Sequence, residues 1–289
     1  MQDPNIEVQT EGIERLIPPR RDLPGPNEAP TLAIAGTAAD RDTLRSTPGY
    51  YARAWRTFRK DKLAIFSLVL CILLLIMSFG APIIAWITGN DYATNDLRNQ
   101  LLPWFTYRDH ILGTDPNGRD ILVRLAYGGR VSMTVAVLAL IVALLIGLTL
   151  GAVAGFYGGW IDSVIMRFVD VIISIPSISL LLIISVWWRP GPVGLAVIIA
   201  LLGWTGLSRL VRGEVLSLRS RDYVDAARVL GASNRTIIQR HILPNVISLV
   251  IVWASLALPG LIITEATLSY LGFGVRIPIP SWGNMLQEA

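Results

Sequence analysis

Few side chains in this sequence could carry covalent, redox or metal chemistry, and their spacing works against all three. The single cysteine, Cys71, lies inside an apolar run, so no intrachain disulfide or thiolate cluster can form. The two histidines, His110 and His241, are too far apart for an HExxH zinc helix. Neither lysine, Lys60 or Lys62, follows a glycine, so there is no GxxxxGK[ST] phosphate loop, and ATP, if it drives this protein, binds to another chain. What remains is charge in unusual places. Asp115, Arg119 and Asp120 sit in a glycine-punctuated turn and can pair with one another. Arg167 and Asp170, three residues apart on one helical face, and Glu265 lie within or beside long apolar runs, where an ionisable group is a functional candidate because burial is expensive. For Arg167 and Asp170 the favoured reading is a self-neutralising pair. Glu265 faces either a pathway or a partner helix. With no histidine in an apolar run and no paired catalytic carboxylates, an intramembrane enzyme gains no support.

The elements that must position these groups are membrane spans. Of 289 residues 53% are apolar and only 16% charged, with a mean hydropathy of +0.53, whereas soluble domains carry roughly 25% charged residues. Five charge-free stretches stand out: 63–87, 131–161, 171–188, 190–208 and 242–264. Each approaches or exceeds the ~20 residues needed to cross a bilayer. The expected fold class is therefore an all-α membrane protein with five visible spans. Net charge is only +4, which argues against a nucleic-acid partner. No internal repeat is visible, so an inverted-repeat secondary transporter gains no support. A channel or proton-driven carrier, with Asp170 or Glu265 titrating, is the rival from another class.

Residues 1–49 hold seven of the 17 prolines and no sustained periodicity, and are expected to be a disordered cytoplasmic tail. Residues 50–62 place Tyr51, Trp55, Phe58 and Lys62 on one helical face, with most basic residues elsewhere. This is an amphipathic interfacial helix or a snorkelling flank of the next span. Residues 63–289 form the membrane domain, with an outer loop at 88–130 and a cytoplasmic loop at 209–241. Arginine and lysine set the orientation, N-terminus in, with 17 basic residues on the cytoplasmic side against seven outside. Gly147, Gly151, Gly155 and Gly159 form a strip along which another helix can approach closely. Packing within the subunit is the expected use.

The segment 221–246, RDYVDAARVLGASNRTIIQRHILPNV, is longer than a connection between bundle helices requires. Tyr223, Ala226, Ala227 and Leu230 make an apolar stripe on a short helix. Gly231 suits the left-handed helix end, a second short helix runs through Ile237 and Ile238, and Pro244 fits the first turn of the next span. The two alanines suggest a close fit into a groove on another molecule; packing against the chain's own bundle is the plainer alternative.

This segment resembles the EAA loop of ABC importer permeases. Asp225, Ala226 and Ala227 stand for EAA, with Gly231, Leu243 and Pro244 at the family interval. Asp225 replaces the usual Glu, and His241 stands where the family has Ile. A second segment, HILGTDPNGRD at 110–120, resembles the signature of the dipeptide/oligopeptide/nickel branch through Gly113, Thr114, Asp115, Gly118, Arg119 and Asp120, with Ile111 in place of Pro and Val123 in place of Ser. LSYLGFG at 268–274 and PSWGNML at 280–286 are also typical of the branch. The resemblance implies the transmembrane domain of a type I ABC importer in a bacterial cytoplasmic membrane. It implies a homologous second permease, two ABC ATPases that bind ATP and magnesium, an extracytoplasmic substrate-binding protein, and no cofactor in this chain. The EAA-like loop is then the contact with the ATPase. The outer signature is expected mainly to lock the outer loop, with contact to the binding protein or cargo as the lesser alternative. Peptides are the implied cargo, with nickel or another small solute as the alternative. The family has a sixth span, which has no counterpart before Ala289, so a partial chain is expected.

Overall fold

The computed structural model describes residues 50–105, 109–188 and 190–289; the expected tail lies outside them. The chain divides into two units, Met1–Lys62 and Leu63–Ala289. In the first, α1 (Tyr50–Lys60) ends on Arg59 and Lys60, which suit the negative end of its dipole. Trp55 and Phe58, one turn apart, stack with centroids 5.7 Å apart.

The second unit is helical throughout its long segments. The first apolar stretch is divided at Gly80 into α2 (Lys62–Phe79) and α3 (Ala81–Thr88), with Pro82 in the first turn of α3. α4 (Ile121–Tyr157) starts ten residues before the charge-free run and carries Arg124 and Arg130 within it. At 37 residues it is about 55 Å long, well beyond a ~30 Å hydrocarbon layer. The third expected span is not straight. α5 (Gly159–Ser174) and α6 (Ser177–Trp188) meet at 84° across Ile175 and Pro176. Proline forces the residue before it out of the helical region, and Ile175 is extended with ψ 130°. α7 (Pro192–Arg219) continues eleven residues past the expected end at Ser208 and carries Arg209, Arg212 and Arg219 with it. Then come α8 (Asp222–Val229) and α9 (Asn234–Ile237), a wide turn at Ile238–Ile242, α10 (Leu243–Tyr270) and α11 (Trp282–Glu288). Among the described residues four helices are long and apolar enough to cross a membrane, or five spans if the bent pair counts as one.

The core is the α4–α7 pair. Trp204, Leu207, Ser208, Val211 and Val215 line the buried face of α7 at helical spacing. Opposite them lie Gly147, Gly151 and Gly155. A Cβ there would stand 2.9, 2.6 and 2.8 Å from the carbonyl oxygens of Trp204, Ser208 and Arg212. The strip thus packs the subunit internally, with the α4 backbone against the carbonyls and the Leu207, Val211 and Val215 side chains of α7. Gly159 is not part of it: it opens α5 with φ +55° and open space beside it. Away from this seam the helices are apolar and exposed, as Phe66, Ile76, Trp160, Ile251 and Leu256 show. A bilayer, not water, is the solvent such a surface needs.

Candidate functional site

Two constellations stand out, one around α8 and the other around the turn that precedes α4. α8 follows α7 after only Ser220 and Arg221. Asp222 and Asp225 occupy its first turn, where carboxylates favour the helix dipole. Val224 is fully buried in a cluster with Phe156, Val215, Ile237 and Ile242, and Ala227 packs partly on the same cluster. Arg228 places its guanidinium 6.0 Å over the Phe156 ring and donates to Asp225 at 2.8 Å. The opposite side of the helix is open. Tyr223, Asp225 and Ala226 are exposed, and Val229 and Leu230 are each 87% exposed. Gly231 then reverses the chain at φ +81°, a conformation that glycine adopts without strain. The expected stripe is thus split: Ala227 faces the bundle, while Tyr223, Ala226 and Leu230 face outward. Leu243 packs partly on the Val224 cluster, and Pro244 sits exposed in the first turn of α10. Val224, the anchor, and Val229 were missed in the sequence; the i, i+3 spacing of Val224 and Ala227 was the available signal.

The end of α7 that leads into α8 is tied by its arginines to α4 and α5. Arg219 Nη1 donates to the carbonyls of Gly155 and Phe156, both at 3.1 Å. Arg212 grips both oxygens of Asp162 through Nε and Nη2. Arg209 reaches Asp170 at 2.5 Å. The expected Arg167–Asp170 pairing is therefore corrected: the partner comes from a neighbouring helix.

At the other constellation Asp115 is the hub. Its Oδ1 accepts from the backbone of Asn117 (2.8 Å) and Arg119 (3.0 Å), its Oδ2 from Arg119 Nε (2.7 Å) and Arg124 Nη1 (2.5 Å). Both guanidinium groups then converge on Glu288 of α11, Arg119 at 2.9 Å. Arg119 and Arg124 are only 5% and 3% exposed. Burial pushes the Asp115 carboxyl up, but hydrogen bonds from Arg119 and Asn117 and the Arg119 charge outweigh it, leaving Asp115 below its ordinary range. Asp120 does not join Arg119. It caps α4 by accepting from Val123 N at 2.9 Å and meets His110 Nδ1 at 2.9 Å and Asn90 Nδ2 at 3.2 Å. Thr114 Oγ1 bonds the Asn99 carbonyl and accepts from Leu102 N. A Cβ on Gly113 or Gly118 would collide with the carbonyl oxygen of Leu102 or Asp96, at 2.2 and 1.7 Å, so these positions exclude any side chain. Arg124, Glu288 and Asn90 were not anticipated, because their partners are remote in sequence.

Glu265 is enclosed within the chain's own packing. It is fully buried at the α10–α11 joint, with Oε1 accepting from Ser269 Oγ at 2.7 Å, and Ser269 Oγ in turn receives Val275 N at 3.1 Å. Among the described residues no three His, Cys, Asp or Glu side chains converge as a metal site would require.

Comparison with known proteins decides the family. Residues 147–289 match the binding-protein-dependent transport system inner membrane component, and residues 49–103 match the N-terminal transmembrane domain of oligopeptide transport permease C. The oligopeptide transport system permease protein of Bacillus subtilis (strain 168) is 36% identical over 255 residues, covering 88% of this chain and 82% of the relative. The chain belongs to the oligopeptide and dipeptide transport permease family, as a C-type subunit. The dipeptide transport system permease protein of the same Bacillus is 36% identical, covering 84% of this chain and 75% of the relative. The oligopeptide permease of Escherichia coli (strain K12) is 39% identical, covering 81% and 77%. The helical architecture is that of a type I ABC importer transmembrane domain. This permease is a multi-pass inner membrane protein.

Proposed function

We propose that this permease forms half of the translocation pathway of an ATP-driven peptide importer. It pairs with a homologous second permease, two ATPases on the cytoplasmic side and an extracytoplasmic binding protein. The names of its relatives, oligopeptide and dipeptide permeases, support peptides as cargo. The excess of arginine and lysine on the α8 side supports an N-terminus-in orientation with α8 in the cytoplasm.

The observation that carries the reading is the two-sidedness of α8. Val224 fixes the helix to the bundle, while its other side offers a small alanine, Ala226, flanked by the exposed Val229 and Leu230. An amphipathic helix that leaves apolar side chains in water on its open face is shaped for a groove on a partner. The positions matching the EAA pattern, Asp225, Ala226, Ala227, Gly231, Leu243 and Pro244, with Tyr223 beside them, build this lever and its return to α10. ATP-driven closure of the ATPases pulls α8, and the rigid spans convert that into alternating access. The buried ion network holding Asp115, Arg119 and Glu288 locks the outer loop to α11.

The test is Ala226→Trp in the assembled transporter. Bulk at this position holds the lever off its groove, so ATP-dependent peptide uptake falls by about tenfold or more, while membrane insertion is unchanged. Full uptake by this variant would overturn the coupling role.

A further inference from the structure

We infer that Asp162 and Asp170 are positioning residues that clasp α5 to α7, so that α5 moves as one body with α7 and α8. This rests on the reading of α8 as the lever.

α5 runs antiparallel to α7. Near its start, Asp162 is held by Arg212 through both carboxylate oxygens; a two-pronged pair resists rotation as well as separation. Two turns on, about 12 Å along the axis, Asp170 is held by Arg209. Between them Phe168 stacks on Trp204, centroids 6.3 Å apart at 23°, and Val169 is fully buried in the cluster that includes Trp204. Arg219 secures the preceding turn through Gly155 and Phe156. Met166 and Ile172 pack on the same cluster, while Trp160, Val164 and Val171 are exposed apolar residues on the other side of α5. Its position is therefore set by α7 and by the end of α4. Both ion pairs lie beside a bilayer, where separating the charges is costly, and this cost opposes any parting of α5 from α7.

The assembled transporter, reconstituted in vesicles, gives two tests. In the first, Asp162→Asn lowers the peptide imported per ATP hydrolysed by about fivefold, and the charge exchange D162R with R212D recovers at least half of it. An unchanged ratio in D162N, or an exchange that recovers nothing, overturns the clasp. In the second, D162C with R212C is joined by oxidation in a Cys71→Ser background, so that no other thiol of this permease can take part. Helices that move together tolerate the crosslink, and import per ATP is the same before and after reduction. Import that stops on oxidation and returns with reductant overturns the proposal. Ala226→Trp separates the two ideas. If it imports normally, the lever reading fails, whereas if it is uncoupled but either clasp test goes against expectation, only the clasp fails.

Discussion

The two ends of this permease treat charge and apolar surface in opposite ways. Around Asp115 the charged groups satisfy one another within the chain: two carboxylates and two guanidinium groups close a ring, all nearly buried. Around α8 the pairs are more exposed, as in Arg228–Asp225 and Arg209–Asp170, and two large aliphatic side chains stand in the open. The first region has already realised its interaction energy, and the second keeps part of it for another molecule. On the proposed reading, a fixed frame at one end and an open lever at the other is the division that a conformationally driven machine requires.

Three substitutions probe that contrast, in falling order of their effect on stability. Arg124→Met leaves Arg119 alone to neutralise two carboxylates in a nearly closed site. It should destabilise the fold by about 3–5 kcal/mol, seen as a large drop in the thermal unfolding midpoint in detergent. A drop as small as that of a surface mutation would mean that the ring is not a frame. Acid acts more gently on the same ring. The carboxyl of Asp115 is depressed in the folded protein, so its contribution is fully present above the unfolded value of 3.8 and is lost as pH falls further, through the folded value. The stability difference between the native protein and Asp115→Asn should therefore be flat from pH 7 to about pH 4 and shrink below that. A difference that already shrinks near pH 6 would place the dependence on another group. Leu230→Ser should change stability least, within about 0.5 kcal/mol, yet impair peptide uptake. If uptake stays normal while stability falls, the open side of α8 serves the fold, and the contrast between the two ends collapses.

Much of the architecture was legible before the structure was seen. The charge-free runs locate the membrane helices because a bilayer tolerates few charges, and the four-residue glycine spacing announces a close backbone contact. The helix ends were not legible. α7 runs on to Arg219 because its arginines find Asp162, Asp170 and two carbonyls, and α4 begins at Ile121 because Arg124 is neutralised by Asp115 and Glu288. A charge ends an apolar run, but it need not end a helix. Asp170 was assigned to Arg167 for the same reason: local spacing shows which groups can meet, while the fold decides which do. On α8 the alanines and Gly231 were visible as a pattern. Which side of that helix faces inward depends on Val224 meeting Phe156 and Ile242, a contact between distant parts of the chain.

The glycine seam has a mechanical corollary. Where α4 offers glycines at three successive turns, Leu207, Val211 and Val215 of α7 seat directly against its backbone, so lengthwise slip of either rod would have to lift these side chains out of their notches. A stroke delivered at one membrane face must then reach the opposite face as a tilt of the whole girder, with little lost to internal give.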